Sequence, residues 1–146
     1  KKNISFLRES SIKLSYLINS KKINNLIFLN YAPELNKFLF WCQQLIAESL
    51  GKKGKGLFPV ISTVPKDHHS LLQLYIDGPR DKLFHIFSLE DEKSEKINLK
   101  KILNINFFLN NKRLDKIKRA QKDALILSLK KNKIRIVPAI YVEIEI

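Results

Sequence analysis

Apolar and polar positions follow two different periods along this chain. Residues 4–19 carry Ile4, Leu7, Ile12, Leu14, Leu17 and Ile18 at a mostly helical spacing, closed by Asn19-Ser20-Lys21-Lys22. Asn25–Leu29 is a compact apolar run of the kind a buried strand uses. Pro33 then suits the first turn of a helix, where its missing N–H costs nothing. That helix continues through Leu35, Phe38, Leu39, Cys42, Leu45 and Ile46 to a stop at Gly51. Beyond a Gly/Lys-rich loop at 52–56, residues 57–64 predict a strand and residues 69–76 a short helix ending at Asp77-Gly78-Pro79. Residues 83–87 predict the next strand, and 90–96 a charged surface loop. Residues 98–110 fit no single period. Leu114, Ile117, Ala120, Ala124, Leu125 and Leu127 mark a long amphipathic helix over 114–130, and 134–146 reads as a last strand with an irregularity at Pro138. Strands alternating with helices imply parallel βαβ units, hence an α/β three-layer αβα sandwich around a mainly parallel open sheet, with 1–146 as one domain.

Bulk properties narrow the class. The 146 residues are 45% hydrophobic and 10% aromatic, as in a globular domain. No apolar run is long enough to cross a bilayer, and a single cysteine cannot form an internal disulfide, so a cytoplasmic setting is expected. The net charge of +13 attracts phosphates of any kind. Its basic residues are scattered from Lys1 to Lys133 without an aromatic stacking motif, so neither a nucleic-acid nor a membrane partner is expected. The absence of methionine and the stop inside the alternating run 140–146 suggest a piece of a longer protein.

Two polar clusters flank the 57–61 run. Glu48 falls in the last turn of the 33–50 helix, whose free carbonyls disfavour a carboxylate, and partial burial among Leu45, Ile46 and Leu50 acts in the same direction. A carboxylate shifted toward neutrality suits a general base. The plainer alternative is a surface Glu48 paired with Lys52. His69 opens a helix beyond a buried strand, at the sheet edge where open α/β proteins bind ligands. His68 is equally available by chemistry, and His85, between Phe84 and Ile86, reads as structural. Cys42 reads as core. The glycines at 51, 54 and 56 do not form a phosphate-binding fingerprint, and Asp67-His68-His69 lacks a second cluster to complete a metal site.

Gln43-Gln44-x-x-x-Glu48-Ser49-x-Gly51-Lys52, then Gly54-x-Gly56, then His69-x-x-x-Gln73, resembles the glucose-6-phosphate isomerase family. The match, over residues 39–89, is to the second of two sugar-isomerase (SIS) domains in the bacterial form, a flavodoxin-like fold. The resemblance implies interconversion of glucose 6-phosphate and fructose 6-phosphate through a cis-enediol. Glu48 would be the base, Gln44 a contact to substrate hydroxyls and His69 the ring-opening residue. It implies no cofactor and no metal, and a homodimer in which His69 reaches the partner's site. The family's first SIS domain and its C-terminal lysine segment have no counterpart here, so the chain alone is expected to be an incomplete, inactive fragment. The alternative is an SIS module that binds a sugar phosphate for regulation, without catalysis.

Overall fold

The computed structural model describes residues 2–20, 22–89, 96–98 and 109–137. In chain order it contains α1 (Lys2–Asn19), β1 (Asn25–Asn30), a 3-10 turn (Pro33–Leu35), α2 (Asn36–Leu50), β2 (Phe58–Thr63), α3 (His68–Asp77), β3 (Lys82–Phe87) and α4 (Leu114–Lys131). The expected helix over 33–50 therefore opens with a tighter turn, and Pro33 sits at its start. The other expected bounds that fall on described helices and strands hold to within a residue or two.

The strands are parallel, in the order β2-β1-β3. Asn25 lies opposite Phe58 on one side and Lys82 on the other. After α4 the chain returns to the free side of β3. The Phe84 N–H donates to Arg135 O (3.1 Å), and the Val137 N–H donates to Phe84 O (2.8 Å), as a parallel bridge at Ile136. Of the expected 134–146 strand the described residues show this one bridge; 138–146 lie outside the described residues, as do 90–95 and 99–108.

Near-continuous apolar strands are what a parallel sheet covered on both faces requires. Leu26, Phe28, Leu83 and Phe87 face Leu14, Leu17 and Ile18 of α1 and Leu39, Cys42 and Ile46 of α2. Cys42 is accordingly a packing residue, and burial pushes its thiol pKa up. Ile27, Leu29, Phe84 and Ile86 face Leu71, Leu72 and Tyr75 of α3 and Leu125 and Leu129 of α4. A side chain as buried as Phe84 contributes roughly 1.5–3 kcal/mol by leaving water.

Helix α4 corrects the expected stripe. Its inward face is Lys122, Leu125 and Leu129, while Leu127 is 67% exposed and Ala120 and Ala124 face outward. The aliphatic stem of Lys122 covers apolar surface and its ammonium reaches Ser88 Oγ at 3.2 Å, so a charged residue takes a position that hydropathy assigns to an apolar one.

Candidate functional site

The two edges of the sheet carry different chemistry. Each βαβ crossover returns the chain, so α2 starts at the carboxyl edge of the sheet and ends at the amino edge. Gln44 and Glu48 lie near the end of α2, and the loop after it leads straight to Phe58 at the start of β2. Gln43 ties this end of the helix to the sheet, donating from Nε2 to Pro59 O at 2.8 Å.

Glu48 is exposed, and Gln44 one turn earlier donates from Nε2 to Glu48 Oε1 at 2.9 Å. Two expectations fail here. Leu45 and Leu50 are each 41% exposed, so among the described residues they do not bury Glu48. Among the described residues Lys52 makes no ion pair with Glu48 either; the glutamine takes that place. The Gly-rich loop crosses close behind. Gly56 adopts φ +134, and a β-carbon there would lie 3.1 Å from the Leu50 carbonyl oxygen and the Gly51 Cα. Only glycine accepts both the dihedral and the approach.

The carboxyl edge holds the histidines. Asp67 organises the loop after β2, its Oδ2 accepting from the Thr63 N–H (2.8 Å) and Ser62 Oγ (3.1 Å). Helix α3 then begins with His68 and His69. His68 turns inward: Nε2 lies 3.2 Å from Tyr31 Oη, and the two rings meet edge to face. Burial lowers the His68 pKa, opposed in part by the Asp67 carboxylate. Burial, and then Asp123, pushes the Tyr31 hydroxyl far up. His69 points outward and is exposed, with Gln73 exposed one turn on. The structure thus separates two residues that spacing alone left equivalent: His68 is engaged with the body of the domain and His69 is presented to solvent.

The fold does not bring Glu48 and His69 together. They stand at opposite edges, separated by the length of the six-residue strands, about 20 Å. His85 lies within β3 between Phe28 and Phe87, with Nε2 buried and unpartnered among the described residues; burial lowers its pKa. Its reading as structural fits that packing. Sequence reading missed Lys122 and Ser88 at the carboxyl edge; buried position 122 carries no signal in hydropathy. Among the described residues no cluster of His, Cys, Asp and Glu could hold a metal, and no helix is long and apolar enough to cross a membrane.

Strand order with a reversal between β1 and β3, helices on both faces and polar side chains at the loop edges define a doubly wound α/β domain. A crystal structure of a hypothetical protein from Thermus thermophilus has this fold, with a TM-score of 0.70 over 90% of this chain and 32% of that one, at 24% identity. No protein-family model matches the sequence. Curated relatives are more specific. A glucose-6-phosphate isomerase from Methanocaldococcus jannaschii is 39% identical over 95 residues, covering 61% of this chain and 24% of that protein. One from Mycoplasmopsis pulmonis is 31% identical across 99% of this chain and 34% of its own length. A probable glucose-6-phosphate isomerase from Methanococcus maripaludis reaches 49% over 57 residues. The chain is homologous to a segment of the glucose-6-phosphate isomerases, and it spans between 13% and 34% of the length of these three relatives.

Proposed function

We propose that this chain supplies the proton-transfer half of an enzyme interconverting glucose 6-phosphate and fructose 6-phosphate. One observation carries the proposal: Glu48, the base of the resembled motif, is exposed and held by Gln44 at 2.9 Å. That contact fixes one carboxylate oxygen and leaves the other available for a carbon-bound proton. In the reaction Glu48 removes the proton from C2 of the open-chain aldose and returns it to C1, with a cis-enediol between. The hydroxyl proton moves from O2 to O1 in the same sequence, so nothing is gained or lost. Gln44 Nε2, already aimed at this point, contacts the sugar hydroxyls. His69 opens the pyranose ring before the proton transfer. No metal or organic cofactor takes part.

Because Glu48 and His69 occupy opposite sheet edges, one chain cannot offer both to one substrate. The reading therefore includes a homodimer in which His69 enters the site built around the partner's Glu48. Residues beyond these two SIS-domain elements bind the phosphate, and the isolated 146-residue chain is expected to be inactive in the cytoplasm or in a test tube. An isomerase assay on the full-length protein, beside its Glu48→Gln variant, tests the proposal. The expected result is turnover of fructose 6-phosphate that falls by about 10²–10⁴-fold in the variant, the range for loss of a general base. An inactive wild type that still binds sugar phosphate would replace catalysis with a regulatory SIS module.

A further inference from the structure

A second polar feature lies at the amino edge, on the opposite face of the sheet from α2. A cavity of about 370 Å³ opens between the end of α3, the start of β3 and the turn after α4. Pro79, Phe84 and Ile134 form its apolar wall, and Arg80, Lys82, Lys133 and Arg135 surround it. Neither Gln44, Glu48 nor His69 lines it. Asp81, the nearby carboxylate, is committed to Lys82 at 2.8 Å and accepts from Asn25 Nδ2 at 3.0 Å. Among the described residues Arg80, Lys133 and Arg135 have no carboxylate partner. Arg135 is positioned by donating from Nη1 to Arg80 O at 2.8 Å, which binds the two arginine-bearing segments together.

Lys133 is the telling member. Helix α4 ends in a Schellman motif: the Ile134 N–H donates to Leu129 O (2.9 Å) and the Lys133 N–H to Lys130 O (2.9 Å). The residue between must be left-handed, and Lys133 has φ +54. Glycine is the usual occupant, and a lysine there costs stability. The strained residue is the one that brings a third cation without a described carboxylate partner to the rim.

We propose that this cavity binds the phosphate group of a small phosphorylated metabolite, at a site separate from the one containing Glu48. Arg80, Lys133 and Arg135 hold the phosphate, and Pro79 and Ile134 receive the carbon skeleton. Opposing this are the carbonyl ends of α3 and α4, which lie near the same place and attract cations on their own account. The two explanations separate experimentally.

Inorganic pyrophosphate and glucose 6-phosphate are titrated calorimetrically into the full-length protein at moderate salt, with Lys133→Gly, Arg80→Gln and the remote control Lys116→Gln. Lys133→Gly is expected to unfold at the same or a higher temperature, since it relieves the backbone, and yet to weaken pyrophosphate binding roughly fivefold, the effect of one charge at contact distance in water. Arg80→Gln should weaken it similarly, and Lys116→Gln should leave it unchanged. Glucose 6-phosphate binding to a second site, weakened by Arg80→Gln to the same extent as pyrophosphate, would identify a sugar phosphate as an occupant; binding of pyrophosphate alone would identify an inorganic phosphate. Unaltered affinity in Lys133→Gly and Arg80→Gln, or an equal loss in Lys116→Gln, would overturn the proposal in favour of helix-end cations within a diffuse positive charge. A Glu48→Gln protein that binds pyrophosphate normally keeps the outcome independent of the catalytic reading.

Discussion

Mixing two inactive variants should restore activity. Helix α2 is fifteen residues long and its rise carries Glu48 about 18 Å along the axis from Asn36, at the edge where α3 begins. General acid–base groups act within about 3 Å of the proton they move, a reach that cannot be met at both ends by one open-chain hexose phosphate. In the proposed dimer, a Glu48→Gln protomer still lends its His69, and a His69→Ala protomer still keeps its Glu48. A mixed dimer therefore contains one intact site and one doubly defective site. Equal mixing with free exchange makes about half of the dimers mixed, so activity should recover to about a quarter of wild type. The assay is fructose 6-phosphate turnover by the full-length variants after co-expression, or after unfolding and joint refolding, with each variant alone as the baseline. No recovery, despite mass-spectrometric detection of mixed dimers, would refute the division of the site between copies and require Glu48 and His69 to meet within one chain.

Three further outcomes follow from the packing. Gly56→Ala should cost roughly 1–3 kcal/mol in urea unfolding, because φ +134 is a glycine-only conformation and the new methyl meets backbone at 3.1 Å; an unchanged midpoint would mean that the loop relaxes freely. Leu129→Ala, emptying a fully buried position, should cost about 2–5 kcal/mol, and a loss well under 1 kcal/mol would show that α4 is not seated on the sheet. Burial depresses the pKa values of His85 and His68 in the folded state, so the unfolded chain binds more protons below the ordinary histidine range. Stability should accordingly be greatest above about pH 6.5 and fall as the pH drops through that value toward the folded-state pKa values. His85→Phe, placed between Phe28 and Phe87, should flatten that fall in pH-dependent thermal melts, and an equally steep profile would exonerate His85.

Sequence reading recovers the layers because each described strand is dominated by apolar residues and each helix has a cap-like residue or a Gly/Pro stop. It fails where burial and hydropathy part company. Lys122 packs inward while Leu127 points out, so the hydropathy stripe on α4 keeps Leu125 but misplaces several of its other members. The choice between His68 and His69 depends on a neighbour distant in sequence, Tyr31, whose hydroxyl draws His68 in. The separation of Glu48 from His69 is implicit in the βαβ pattern, since a crossover helix ends at the edge opposite to its start. Their closeness in sequence conceals it.

Strand β1 is the only described strand hydrogen-bonded along its length on both sides, and its partners come later, β2 first and β3 only once residue 87 exists. At ribosomal speeds of about 5–20 residues per second, roughly three to eleven seconds separate the synthesis of Leu26-Ile27-Phe28-Leu29 from that of its second neighbour. Throughout that interval the most apolar segment of the sheet has an open edge. Synthesis of this domain is thus a period in which that edge is open to other nascent chains.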